Sequence, residues 1–504
     1  MYVIGIDLGT SGTKTVLFDT KGNVIASKTV EYPMYQPQNG WAEQEPLDWW
    51  NATVDGIKAV INGIDPEKIV SVGISGQMHG LVMLDKDNKV LRRSIIWCDQ
   101  RTSKECVEIE ARVGKERLIE ITANPALPGF TASKILWVRN NEPDIYAKCA
   151  HILLPKDYVR FMLTNEYATE VSDASGMQLL DIKNRCWSKE VLEKLEIDES
   201  LLGKMYESPE ITGYITDEIA ALTGLKAGTI VVGGAGDNAA AAVGMGVVEN
   251  GKAFTTIGTS GVVFMHTDNL LIDPKGRVHT FCCAVPGKWH VMGVTQGAGL
   301  SLKWFRDNFC EDIKLQAENE GVDPYYIMDK MAETSPIGAE RLLFLPYLMG
   351  ERTPHLDSDC RGVFFGISAI HQKKDFIRAV MEGVSFSLMD CLSVFGEMGA
   401  APSEMLACGG GGSSKLWRKM LSDIYNTEIA TIKSKEGPAL GVAILAMVGA
   451  GIYKSVEEAC NACIEKASLQ QPDIDSHNRY MEFYEIYKAL YPQLKENYKA
   501  LASK

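Results

Sequence analysis

Cysteine is sparse for the length, 12 in 504 residues. The cysteines are scattered, with Cys282 and Cys283 adjacent, whereas a secreted disulfide scaffold is short and far denser in cysteine. A reducing, cytoplasmic setting is expected. The one CxxC, Cys460-Asn-Ala-Cys463, follows Ser455 and Glu458, which are spaced as a capping box, so both thiols are expected on one helix. No second pair completes a zinc site, and plain helix residues are the reading. Positive charge is also short: 51 Lys and Arg against 65 Asp and Glu, a net −14. That argues against non-specific binding to nucleic acid or acidic membranes, which needs basic side chains to neutralise phosphates. Long apolar runs are missing. The longest uncharged one, Ala439 to Ile452, is too short for a bilayer and suits a buried helix. The opening Met-Tyr-Val-Ile-Gly-Ile-Asp has no basic stretch, apolar run and small-residue cleavage site, so it does not read as a signal peptide. Proline is scarce (19) and glycine plentiful (46), which favours tight turns over proline-rich linkers. At 46% hydrophobic and 23% charged, the chain is an ordinary globular protein with room for two large domains or three smaller ones.

What the sequence does contain is an internal repeat. Val3-Ile-Gly-Ile-Asp-Leu-Gly-Thr-Ser-Gly12 runs into Thr13–Asp19, and Ala253-Phe-Thr-Thr-Ile-Gly-Thr-Ser-Gly261 runs into Val262–Met265. Each is a strand, the tetrapeptide Gly-Thr-Ser-Gly, and a second strand, as expected of a hairpin. The copies lie about half the chain apart, which suggests two domains of related fold with a boundary in residues 244–251. Between and after them, apolar strands alternate with helices: 69–75, 230–233 before an Ala-rich helix from Asn238, and 404–408 before Gly409–Gly412 and a helix over 414–425. This is an α/β pattern with substantial parallel sheet. Near the end, Tyr480, Tyr484, Tyr487, Tyr491 and Tyr498 recur at near-helical spacing among acidic residues, which reads as a packed stripe and not a base-stacking face.

Gly-Thr-Ser-Gly in a hairpin lets backbone N–H groups approach an anion, and its hydroxyls add donors. Two such loops on facing domains could hold a polyphosphate, although a turn built only for folding would use the same residues. Asp7 ends the first strand, directly before the loop. A carboxylate beside a polyphosphate implies an intervening cation, here Mg²⁺ through water. Lys14 either offsets phosphate charge or faces solvent. Gly246–Lys252 has the spacing of a P-loop but ends in Ala253, without the Mg²⁺ hydroxyl, and a strand follows where a helix is required. Gly234-Ala-Gly236-Asp-Asn-Ala239 resembles a dinucleotide fingerprint and seeds a rival reading, an NAD-dependent oxidoreductase, but Asp237 would face the pyrophosphate. Asp237 reads better as a general base at a strand-to-helix turn, its ionised form favoured by the helix N-terminus. The bland alternative is a helix N-cap. Four consecutive glycines at 409–412 would let a nucleoside lie against bare backbone. His79, between Gly76 and Gly80 at a strand end, is placed where α/β proteins gather ligands.

Ile4-Gly-Ile-Asp-Leu-Gly-Thr-Ser-Gly12, Gly129-Phe-Thr-Ala-Ser-Lys134-Ile-Leu-Trp137, and Gly362-Val-Phe-Phe-Gly-Ile367 followed by Asp375-Phe-Ile-Arg-Ala-Val-Met-Glu382 resemble the signatures of the FGGY carbohydrate kinases, in that family's order. The resemblance runs from Tyr2 to about Gly449. It implies two related α/β domains of the actin/hexokinase/Hsp70 ATPase (ribonuclease H-like) fold around an interdomain cleft, with 1–246 binding sugar and 247–504 binding ATP. Ser75-Gly-Gln-Met-His-Gly80, Leu153-Leu-Pro-Lys-Asp-Tyr158, Gly236–Ala239 and Gly350-Glu-Arg-Thr-Pro-His355 are similar to the family members that phosphorylate D-xylulose. Gln100, within Trp97–Thr102, stands where those often carry glycine. By this resemblance Met78 and His79 line the sugar site, Asp237 accepts the proton, Asn238 contacts the sugar, and Asp7 is catalytic through Mg²⁺. Thr10, Ser11, Gly258 and Thr259 fall at the ATP phosphates, and Gly410, Gly411 and Lys415 on the adenosine side. The implied partners are a small sugar and ATP, with a homodimer left open and neither nucleic acid nor membrane. The alternatives are an FGGY kinase for ribulose, gluconate or glycerol, the oxidoreductase, and a chaperone-like ATPase of the same fold.

Overall fold

The computed structural model describes residues 1–504. Both tetrapeptides close antiparallel hairpins. Tyr2–Leu8 pairs with Gly12–Asp19, and Lys252–Ile257 with Gly261–Thr267. The registers differ by one residue: Leu8 faces Thr13 in the first hairpin, whereas Ile257 faces Gly261 in the second. Each hairpin seeds a mixed sheet. In the first, the order is Ile211–Tyr214, Ile230–Val232, Ile69–Gly76, Tyr2–Leu8, Gly12–Asp19 and Val24–Glu31, with Ala235–Gly236 added beside Ile69–Gly76. In the second it is His279–Cys282, Trp289–Thr295, Gly261–Thr267, Lys252–Ile257, Glu404–Cys408, Ile429–Ile432 and Lys466–Gln470. In both, the first hairpin strand runs parallel to the strand on its far side, and a further parallel strand lies beyond that. The sequence repeat is therefore a repeat of sheet topology. The central strands are buried on both faces (Val3, Ile4 and Ile6 are fully covered), which is why they read as near-continuous apolar runs.

The apolar run near residue 440 forms the helix Gly437–Gly449. It comes from the second half of the chain but lies on the first sheet. Its backbone approaches so closely that a β-carbon on Gly5 would sit 2.0 Å from Ala439 O, and one on Gly73 2.0 Å from Val442 O. Ser71 Oγ donates to Ala446 O at 2.9 Å. The same helix crosses Asp237–Gly244 at Gly441, where a β-carbon would meet Ala240 O at 1.8 Å. Two helices thus cross, backbone to backbone, between the halves.

Another helix, Lys373–Glu397, is long and apolar enough to cross a bilayer, yet 83% of its apolar window is buried inside the protein. Its polar residues have partners there: Arg378 pairs with Glu382 at 2.7 Å, and Tyr484 donates to Asp390 at 2.7 Å. All five tyrosines of the C-terminal stripe are buried on the helix Ile474–Ala502. Cys460 and Cys463 sit on Val456–Cys463, where Ser455 caps the Glu458 N–H; the Glu458 carboxylate returns to Lys454 N rather than to Ser455. Gly246–Lys252 leads into a strand, so it has no P-loop geometry.

Candidate active site

The parallel register brings the first candidates together. Asp7 lies beside Ser75, and Ser75 beside Ala235, so Asp7 and Asp237 stand at the same end of two strands that flank Ile69–Gly76. Gly236 takes the cap position and Asp237 is the first helical residue, so Asp237 is not an N-cap. Its Oδ1 accepts from the Asn238 N–H at 2.7 Å and the Asn238 side-chain amide at 3.0 Å. These donors favour the carboxylate, as expected at a helix start. Burial, with repulsion from Asp7 added, outweighs them and raises the Asp237 carboxyl to about 7. The expectation that the helix N-terminus holds Asp237 ionised is corrected accordingly. Burial also raises Asp7 to about 6, with the Ser75 hydroxyl and Lys14 pulling it partly back. Lys14 neither awaits phosphate nor simply faces water: it forms a 2.6 Å ion pair with Glu436, directly before the crossing helix. Asn238 turns its amide to Asp237, so its first role is to hold that carboxylate.

Met78 packs against Gly236, where a β-carbon would lie 2.8 Å from Met78 Cγ. Next to it, the His79 Nδ1 lies 2.9 Å from Gly176 O. A carbonyl can only accept, so this nitrogen carries the proton and Nε2 keeps its lone pair. Burial first, then the charge of Lys134, lowers His79 to about 3, and the imidazole stays neutral. Phe130 lies 4.8 Å from the ring and Phe281 6.3 Å, a wall built from both halves of the chain. Thus Met78, His79, Asp7, Asp237 and Asn238 form one group.

The second group is built around the other hairpin loop. Thr256 pairs with Cys408, so the loop Gly258–Ser260 lies beside Gly409–Gly412, which forms a single helical turn. Gly409 has φ +75°, and a β-carbon there would be 2.7 Å from Ile257 O; Gly410 faces open space. The following helix is Lys415–Tyr425, capped by Ser414, and Lys415 is exposed at its start. Gly258 O and Thr259 O accept from Gly299 N (2.7 Å) and Leu300 N (3.1 Å) at the start of another helix, leaving the Thr259 side chain exposed. In the first loop the Thr10 hydroxyl is already engaged. It accepts from Trp97 Nε1 at 2.9 Å and reaches Gln77 Oε1 at 3.5 Å, and Thr10 O accepts from Gln44. Ser11 is exposed.

Several neighbours carry no role in the sequence reading. Lys134 and Lys156 lie in segments that stood out as motifs, but their burial is visible only in three dimensions. Lys156 sits among Asp157 (2.7 Å), Glu170 and Asp173 (both 3.4 Å). The Ser172 hydroxyl ties this cluster to the strand end before Asp237, accepting from Gly236 N at 3.1 Å. Burial pushes Asp173 well above the usual carboxylate range. Arg352, in the Gly350–His355 segment, makes no side-chain hydrogen bond or ion pair, and its charge is felt by both His79 and His279. No such signal is legible from spacing alone.

The residues present suit ATP and Mg²⁺. Backbone at Gly410 is open where a side chain would obstruct, and Asp237 is a buried carboxyl raised further by the charge of Asp7, with no cation among the groups acting on it. Asp7 is a single buried carboxylate at a strand end, the group that would hold Mg²⁺ together with water and phosphate.

Comparison with known proteins agrees. The N-terminal domain model of the FGGY family of carbohydrate kinases matches residues 2–244, and its C-terminal domain model matches 253–450. The chain is similar to xylulose kinase of Bacillus subtilis (strain 168), 39% identical over 100% of this chain and 99% of that one. It is equally similar to xylulose kinase of Escherichia coli (strain K12), 39% identical over 98% and 99%. Among solved structures, a xylulose kinase from Brucella ovis superposes with a TM-score of 0.90, 37% identical over 98% of this chain and 100% of that one. With two repeated sheets, a buried carboxylate pair at one sheet end and full-length similarity, the chain belongs to the FGGY family of carbohydrate kinases and is a sugar kinase of the actin/hexokinase-like ATPase fold.

Proposed function

We propose that the chain transfers the γ-phosphoryl group of ATP to the 5-hydroxyl of D-xylulose, giving D-xylulose 5-phosphate and ADP. The observation that carries the chemistry is Asp237, a buried carboxyl poised at about 7, with Met78 packed against the preceding Gly236 and His79 next to it. A base with a pKa near the working pH is both available and strong enough to take a hydroxyl proton. Asp237 takes the proton from the 5-hydroxyl as its oxygen bonds to the γ-phosphorus, and the bond to the β,γ-bridging oxygen breaks. Asn238 holds Asp237 in place. The neutral Nε2 of His79 accepts from another sugar hydroxyl, and Met78 supplies an apolar wall. Backbone around Ser11, Gly258 and Thr259 receives the phosphates, and Gly410, Gly411 and Lys415 receive the nucleoside. Asp7 would hold Mg²⁺ through water, and the ion neutralises phosphate charge when bound. The sugar assignment draws on the two xylulose kinases named above. The same reading divides the chain at 246/247 into sugar and nucleotide domains and fits a cytoplasmic enzyme.

One observation favours a second acceptor. Arg352 has no partner, and a sugar acid would supply its counter-charge, so gluconate is the alternative. Against it, the carboxylates at 7 and 237 repel an acid. A panel of sugars with ATP and Mg²⁺, read as ADP, decides. D-xylulose should be best, ribulose weaker, and glycerol and gluconate poor. A panel led by gluconate would overturn the sugar while leaving the kinase.

A further inference from the structure

His79 stands at φ +70°, in the left-handed region where a residue with a β-carbon is strained. Its carbonyl oxygen accepts two hydrogen bonds, from Lys134 Nζ at 2.8 Å and Thr131 Oγ1 at 3.1 Å. Both donors lie in the first turns of the helix Thr131–Asn141. Lys134 Nζ also donates to Gly129 O at 2.7 Å, closing the turn that enters this helix. The amino group is fully buried, forms no ion pair and is pushed down to about 7 by burial; its hydrogen-bond partners are these two backbone carbonyls, to which it donates whether charged or neutral. Such a group is costly to bury, and an apolar side chain of similar length would fill the space without that cost. What an apolar side chain cannot do is hold the His79 carbonyl. On the other side of the same residue, the ring is fixed by Gly176 O at 2.9 Å and by Phe130. Gly176 lacks a side chain where a β-carbon would lie 2.4 Å from the ring. Backbone and ring are therefore gripped separately.

We propose that Lys134 is a positioning residue of the acceptor site: its buried amino group clamps the His79 carbonyl and keeps that residue in the left-handed turn that presents imidazole Nε2 to the sugar. This rests on reading His79 as a sugar contact. The charge of Lys134 also opposes protonation of the ring, so the presented nitrogen remains an acceptor. The segment Gly129–Lys134 is then a helix start whose fourth helical residue reaches back to hold the sugar loop.

The test is steady-state kinetics of Lys134→Met, run with whichever acceptor the wild type turns over best. A best acceptor other than D-xylulose overturns the substrate reading alone. KM for the sugar should rise about ten- to a hundredfold, the worth of one buried hydrogen bond. KM for ATP should stay as in wild type. In a His79→Ala background the Lys134 change should add little, because both act through one side chain. An equal rise in both KM values, no rise in the sugar KM, or full additivity with His79→Ala would overturn the proposal. If Lys134→Met does not fold, Thr131→Val removes the other donor to the same carbonyl and must show the same split between the two KM values.

Discussion

Replacing Asp237 by Asn removes a base and, by the same act, a buried charge, so the variant should lose activity and gain stability. The wild-type carboxyl sits at about 7, against 3.8 for an exposed aspartate. Between those values the folded protein holds a proton that the unfolded chain releases, so stability falls as pH rises through this window and is lowest above it. About three units at 1.36 kcal/mol each give a cost of about 4 kcal/mol above pH 7, part of it shared with Asp7. The amide that replaces the carboxyl keeps its shape and can still accept from Asn238, so most of that cost disappears. Thermal melts of the apo protein should therefore place Asp237→Asn above wild type at pH 8, with the gap closing towards pH 4. Turnover should fall by about 10² to 10⁴ while ATP affinity changes little. In wild type, kcat/KM for the sugar should climb through pH 7 and flatten above it as the base ionises. A variant with near-normal turnover would make Asp237 a bystander. An active-site variant no more stable than wild type at pH 8 would refute the burial argument even if activity were lost.

Asp7→Asn should abolish most activity and change its Mg²⁺ dependence; in any residual activity the alkaline rise should move to lower pH, because Asp7 is the charge that helps raise Asp237. No movement of that limb would show that the two carboxylates do not interact. Gly441→Ala should lower stability by about 1–3 kcal/mol, since its β-carbon would lie 1.8 Å from a backbone oxygen and a helix must shift; an unchanged melting curve would contradict the close crossing. The two loops belong to different sheets, so sugar with a non-hydrolysable ATP analogue should compact the protein in solution scattering more than either alone. Identical curves in all states would count against closure.

The strands around Gly-Thr-Ser-Gly were legible because central strands must be apolar on both faces, and that leaves a mark in a single window of sequence. The position of Asp237 was legible for the same reason: a strand end, a glycine and an Ala-rich helix are local signals. Its protonation was not, because burial and the nearness of Asp7 arise only when residues far apart in the chain are brought to the same end of one sheet, on either side of Ile69–Gly76. The helix Gly437–Gly449 was recognisable as buried, but its seat on the opposite half's sheet depends on Gly5 and Gly73, which look like any other strand glycines. Lys373–Glu397 does not read as an apolar run because Glu382 and Asp390 interrupt it; Arg378 and Tyr484 make those interruptions tolerable in the core. The left-handed backbone of His79 left no trace, since nothing in its neighbours' composition demands it.

The repeated sheets also show how one motif acquires two uses. In the first loop the surroundings consume the side chain: Trp97 and Gln77 occupy the Thr10 hydroxyl and Gln44 takes its carbonyl. That loop is thereby fastened to the strand end bearing Met78 and His79, and what it offers an anion is backbone and Ser11. In the second loop, a helix start binds the carbonyls of Gly258 and Thr259 and leaves the hydroxyls outward. The one-residue difference in hairpin register accompanies this split, tightening the second loop and turning its side chains to solvent. On the proposed reading, phosphate donors from side chains should therefore come mainly from the second loop. The Lys14–Glu436 pair adds a tie at the first loop: the strand directly after that loop is joined to the residue before the crossing helix, and the Lys14 charge acts on Asp7.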